Sequence, residues 1–174
     1  MIQRTTKIGV AAAFAAALTA AASTAVAQDI GERRPIEDNS GPGFSASPSA
    51  YFPTRGGTGF GIDATADYGV PVSPLVIAPG GRFAAYIGGD GAITGMPMAE
   101  AMLPVGALVP YVRAGVGIGH ANAPNDTGAA LMGGGGIKVH VSRDALVGVD
   151  ATYEAITGTG FNTLSIGPRA ELRY

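Results

Sequence analysis

From residue 43 to residue 174 the chain repeats with a period of two, and that pattern restricts it to strands, because successive side chains on a strand point to opposite faces. The clearest run is the last. Leu164, Ile166, Pro168, Ala170, Leu172 and Tyr174 alternate with Thr163, Ser165, Gly167, Arg169, Glu171 and Arg173. Residues 58–69 split the same way, with Phe60, Ile62, Ala64, Ala66 and Tyr68 on one face and Gly61, Asp63, Thr65 and Asp67 on the other. Residues 108–120, 128–142 and 146–157 repeat the pattern, and 74–88 and 92–103 carry it more weakly. A closed membrane barrel of this kind has an even strand number, which requires one more strand before residue 58. Residues 43–52 supply it, with Phe44, Ala46, Pro48, Ala50 and Phe52 alternating with serines.

Alternation alone fits a soluble barrel with an oily interior as well as a membrane barrel with an oily exterior, so the faces must be told apart by content. The segments approach the ten residues that a tilted strand needs to cross a bilayer. Aromatic residues of the apolar face fall near strand ends: Phe44, Tyr68 and Tyr174 at one rim, Phe52, Phe60 and Tyr153 at the other, as interfacial girdles require. Glycines crowd the polar face, which suits the cramped bore of a small barrel. Only 14% of the residues are charged, too few for an ordinary hydrated surface. The expected fold is all-β: an eight-stranded antiparallel up-and-down transmembrane β-barrel over residues 43–174.

Folding the hairpins symmetrically about their turns brings opposite charges together on the inner face. Asp63 meets Arg82, Glu100 meets Arg113, Lys138 meets Asp150, and Asp150 meets Arg169; Glu171 belongs to the same inner set. A lone ion in a narrow bore is costly, so these residues are expected to pair and to plug the lumen. Pro168 lacks an amide hydrogen, so a bulge or a break in pairing is expected there.

The N-terminus reads as an address. Arg4 and Lys7 precede an alanine-rich uncharged stretch that closes on Ala25-Val26-Ala27, the form of an export signal over residues 1–27. Residues 28–42 carry charge without periodicity and read as a flexible periplasmic tail. Removing the signal leaves nine basic residues against thirteen acidic, which disfavours nucleic acid as a partner. Cysteine is absent, excluding disulfides, thiolate metal sites and thiol catalysis.

The run Val109-Pro110-Tyr111-Val112-Arg113-Ala114-Gly115-Val116-Gly117-Ile118-Gly119, the glycine-rich strand from Gly133 and the terminal Leu172-Arg173-Tyr174 resemble the small outer-membrane β-barrel family of Gram-negative bacteria, of the outer-membrane protein A-like and X-like type. The resemblance implies a cell outer membrane location and a C-terminal strand read by the outer-membrane assembly machinery, for which Leu172 and Tyr174 match the pattern. Tyrosine stands there in place of the commoner phenylalanine. It further implies contact with outer-membrane lipid and lipopolysaccharide, passage by periplasmic chaperones and a monomeric state. Members of that family mostly serve as structural proteins of the envelope, and some act in adhesion, narrow conduction or lipid modification.

Three patterns carry chemistry on paper. His140-Val141-Ser142 with Glu154 offers a base, a hydroxyl and a carboxylate, and resembles the His-x-Ser motif of the outer-membrane lipid A deacylases. Alternation puts these side chains on the inner face, and Glu154 toward the far rim, so catalysis is not expected. Gly133 to Gly136 before Lys138 lacks the Gly-Lys-Ser/Thr run of a phosphate loop, and Gly115, Gly117 and Gly119 lie within a strand rather than at a strand-to-helix turn. His120, Asn122, Asn125 and Asp126 share a polar loop too poor in ligands for a metal. The expected function is a structural, non-enzymatic outer-membrane barrel with a plugged polar lumen, no cofactor and no metal. A lipid A-modifying hydrolase and a narrow pore are the alternatives.

Overall fold

The computed structural model describes residues 36–54, 57–88 and 91–174. The expected signal over residues 1–27 and most of the expected tail lie outside the described residues. Eight strands follow in order: β1 (Gly41–Pro53), β2 (Gly59–Val72), β3 (Leu75–Ile87), β4 (Ala92–Met102), β5 (Leu108–Ala121), β6 (Asp126–His140), β7 (Ala145–Ile156) and β8 (Phe161–Arg173). Each pairs antiparallel with its neighbour in sequence, and β8 pairs with β1, so the sheet closes as an up-and-down barrel. Closure leaves no strand edge exposed. The strand starts and ends differ from the sequence reading by at most three residues.

We call the end where β1 begins and β8 ends the lower mouth. The last residues of the expected tail are described there. Residues 36–42, expected to be flexible, form a single 3-10 turn over Glu37–Asn39 and then enter β1 at Gly41. The cause is local packing: Ser40 Oγ donates to the Ile36 carbonyl at 2.7 Å, and Ile36 packs on an apolar cluster in the lower lumen.

Alternation separates two faces along every strand. Val112, Ile118, Phe83 and Leu131 point outward and are half or more exposed, whereas Arg82, Glu100, Lys138 and Arg169 point inward and are buried. The inward face is less uniformly polar than its sequence suggests. Tyr51, Tyr86, Met96, Met98, Met132, Ile156 and Phe161 fill the upper lumen as an apolar plug, with Tyr51 edge-on to Tyr86 at 5.3 Å between ring centroids. A second plug of Val76, Ala78, Met102, Val109, Tyr111 and Leu146 fills the lower lumen, with Ile36 packed beneath it. The charged groups are interleaved with both clusters: Arg82 is opposite Met96 and Glu154 opposite Met132, while Lys138 is opposite Val109 and Glu171 opposite Leu146.

Pro168 interrupts pairing without a bulge. On either side of it β1 and β8 keep one register, with Ala46 opposite Ala170 and Ala50 opposite Ile166, but the ladder is broken between these two pairs. The shared register puts Pro48 opposite Pro168, so neither strand can donate at that level.

Candidate functional site

The inner face gathers its ions into two groups joined through Tyr111. The upper group is built on β2, β3, β5 and β7. Arg82 reaches Asp63 on β2 and also Glu154 on β7 at 2.6 Å, across the full width of the bore. Arg113 reaches Asp150 at 2.5 Å and Asp63 at 3.4 Å. Three carboxylates here face two guanidinium groups, and neutral hydroxyls help to satisfy the excess: Tyr86 OH donates to Glu154 at 2.7 Å, Tyr111 OH to Asp150 at 2.6 Å, and Thr152 Oγ1 to Asp150 at 2.8 Å. Donors aimed at a carboxylate stabilise its charged form where water cannot.

The lower group is balanced. Lys138 Nζ lies 2.6 Å from Glu100 and 2.8 Å from Glu171; Arg169 binds the same two carboxylates at 2.9 and 3.2 Å. Arg173 completes it with Asp67 at 2.9 Å and Glu171 at 2.7 Å. The Arg173–Asp67 bridge passes over Gly43 of β1, where an added Cβ would sit 2.7 Å from Asp67 Oδ1 and 2.9 Å from the guanidinium. A side chain at this crossing would have to push the two ends of the bridge aside. Lys138 and Arg169 flank the Tyr111 ring at 4.7 and 4.9 Å, so the tyrosine presents its hydroxyl to the upper group and its face to the lower cations.

All eight residues of the expected charge network therefore point into the bore, but their partners are not those that hairpin symmetry assigns. Asp150 is opposite Gly167 rather than Arg169, because the β7–β8 turn is centred one residue earlier than assumed. Lys138 is opposite Gly148, not Asp150. Glu100 and Arg113 are register partners, yet each reaches across the bore to other residues. Asp63 and Arg82 do meet, on a diagonal: Arg82 is opposite Thr65 and reaches two residues along. Long cationic side chains in a bore this narrow span to the far wall, which neighbour-strand counting does not anticipate. The missed members are Asp67, Glu154, Arg173, Tyr86 and Tyr111. Their inward parity was readable; their partners were not.

The deacylase-like residues do not assemble. His140 is buried in the lower mouth, where Asn39 Nδ2 donates to its Nε2 at 3.0 Å. Ser142 is exposed in the β6–β7 turn and its Oγ accepts from the Ala145 amide at 3.1 Å. Glu154 is engaged by Arg82 and Tyr86, eight residues along β7 from the level of His140, roughly 27 Å at strand rise. At the upper rim His120 Nδ1 lies 3.0 Å from Thr127 Oγ1. Leu172 and Tyr174 point outward, and Tyr174 donates its amide hydrogen to the Pro42 carbonyl at 3.0 Å.

No protein-family profile matches the chain, and no curated protein sequence does. Solved structures do match. The crystal structure of Neisserial surface protein A superposes with a TM-score of 0.53 over 76% of this chain and 96% of that one, at 14% identity. This chain has the fold of the small eight-stranded outer-membrane barrels. The outer-membrane enzyme PagL matches with a TM-score of 0.53 at 13% identity, covering 76% of this chain and 99% of its own. The N-terminal β-barrel domain of Pseudomonas aeruginosa OprF matches with a TM-score of 0.53 at 11% identity, covering 78% and 99%. One fold thus carries an enzyme among its examples, and at these identities the likeness establishes architecture alone.

Proposed function

We propose that the chain is an exported structural barrel of a Gram-negative outer membrane, contributing to envelope integrity without catalysis or conduction. The observation that carries this reading is the inversion of the two faces. Phe44, Ile62, Phe83, Val112, Val116, Leu131 and Ile166 are exposed on the wall, while the ion-paired side chains inside are at most 8% exposed. In water each large apolar side chain left outside forgoes about 1.5–3 kcal/mol of burial; against hydrocarbon the same arrangement is favourable, and the closed sheet satisfies its backbone internally.

The filling of the lumen by two apolar clusters and the ion pairs interleaved with them supports a non-conducting role. The separation of His140, Ser142 and Glu154 weighs against a lipid A hydrolase. Outward Leu172 and Tyr174 on the closing strand fit presentation to the outer-membrane assembly machinery after delivery by periplasmic chaperones, and the apolar wall fits a monomer solvated by lipid and lipopolysaccharide.

The test is fractionation combined with electrophoresis. The protein is expected in the outer-membrane fraction, running faster unboiled than boiled because the folded barrel stays compact in detergent. Recovery in a soluble periplasmic fraction would remove the proposal. Planar-bilayer recordings without single-channel steps, and an unchanged lipid A acyl pattern on deleting the gene, are the expected results for the pore and hydrolase alternatives.

A further inference from the structure

The wall is interrupted at two places that lie opposite each other around the barrel. One is the β1–β8 pairing, where Pro48 and Pro168 face each other and the ladder is missing between Ala46–Ala170 and Ala50–Ile166. The Pro48 carbonyl is turned toward Gly167, and the Pro168 carbonyl accepts instead from Ser47 Oγ at 2.8 Å. Two amide donors are absent at one level, so a side-chain hydroxyl stands in for part of the ladder. The other is β4–β5, where Pro97 turns its carbonyl toward Gly115 and the ladder skips from Gly95–Ile118 to Met98–Gly115. A third gap beside Pro79 on β2–β3 sits near the lower mouth. The pairings β1–β2, β3–β4, β5–β6, β6–β7 and β7–β8 run without a break.

The two mid-wall gaps divide the barrel into β1–β4 and β5–β8. Each of the five lumen cations has one carboxylate partner on the other half: Arg82 with Glu154, Arg113 with Asp63, Lys138 and Arg169 with Glu100, and Arg173 with Asp67. Strand β1 contributes no ion to the belt; its inward positions are glycine, serines and Tyr51, and the one ion pair that crosses it, Arg173 to Asp67 on β2, does so at Gly43, below the β1–β8 gap.

We propose that the barrel flexes as two four-stranded halves about the β1–β8 and β4–β5 gaps, and that the ion belt is the clamp that holds the halves closed. Opening at these lines separates strands where backbone hydrogen bonds are fewest and is opposed by charge pairs that would be pulled apart in a dry bore.

Amide hydrogen exchange on the folded protein in detergent micelles tests this, because local opening is read residue by residue. The amides of Ala46, Ala170, Ala99 and Ala114 are expected to exchange about tenfold faster than those of the β6–β7 pairing. Replacing both prolines of one gap (Pro48→Ala with Pro168→Ala) restores two donors and is expected to slow exchange at β1–β8 to the β6–β7 rate while leaving β4–β5 unchanged. Glu100→Gln is expected to accelerate exchange at both gaps and not at β6–β7. Uniform protection around the wall would overturn the hinge, and acceleration by Glu100→Gln at every pairing alike would overturn the clamp. Should the Glu100 variant not fold, the proline pair alone decides: no change at β1–β8 rejects the proposal.

Discussion

Glu100 and Arg113 face each other across the β4–β5 pairing, yet among the described residues neither is the other's ion partner. Glu100 instead takes Lys138 and Arg169 from the opposite half of the barrel, and Arg113 takes Asp150 and Asp63. Glu100 thus holds two cations of the opposite half, where Asp63, Asp67 and Glu154 each hold one.

Glu100→Ala is expected to lower the unfolding free energy in detergent by about 3–5 kcal/mol, because it leaves Lys138 and Arg169 short of a buried partner. Arg169→Ala is expected to cost a similar amount through Glu100 and Glu171. Denaturant titration of the folded barrel reads both, and a loss below about 1 kcal/mol for each would show that the belt does not stabilise the fold.

Gly43→Val places a side chain where Arg173 crosses to Asp67. The expected cost is about 1–3 kcal/mol from overpacking. In a double-mutant cycle Asp67→Asn should then add little, since the bridge is already displaced. Full additivity of the two changes would mean that the crossing is not the point of strain.

Val116→Arg separates a lipid-facing wall from a hydrated one. Val116 is 56% exposed on the outer face and pairs with Leu131 at mid-strand. Against hydrocarbon an arginine near the midplane costs about 2–4 kcal/mol; on a wet surface it is nearly neutral. Unchanged stability of folded protein in bilayers would contradict the proposed location.

Asn39→Ala removes the amide that bonds His140 in the lower mouth and is expected to cost about 1–3 kcal/mol, since a buried ring nitrogen loses its donor. Protease sensitivity of the Ile36–Ser40 segment should rise at the same time.

Strand number, order and facing were legible because a period of two leaves only one register of faces: once Phe60, Ile62 and Tyr68 are outward, Asp63 and Asp67 must be inward. Partner identity was not legible. It depends on turn centring, which shifted Asp150 from Arg169 to Gly167, and on side-chain reach across the bore, which sent Arg82 to Glu154. The apolar plugs were missed for a related reason. Met96, Met98 and Met132 share parity with the charged residues, and parity reports a face rather than which side chains on that face gather together. The Ile36–Ser40 turn carries no periodic signal at all; it rests on Ile36 beneath the lower cluster, the Ser40–Ile36 hydrogen bond and the Asn39–His140 bond.

The two plugs have a consequence for how this barrel could communicate between the spaces on either side of it. With Tyr51, Tyr86 and Phe161 packed at one mouth and Ile36 with Leu146 at the other, the ion pairs interleaved with these clusters are buried from both ends. A solute or a shift in salt on one side has no straight path to those groups. In the proposed membrane setting, a signal passed from one side to the other would travel as movement of the strands.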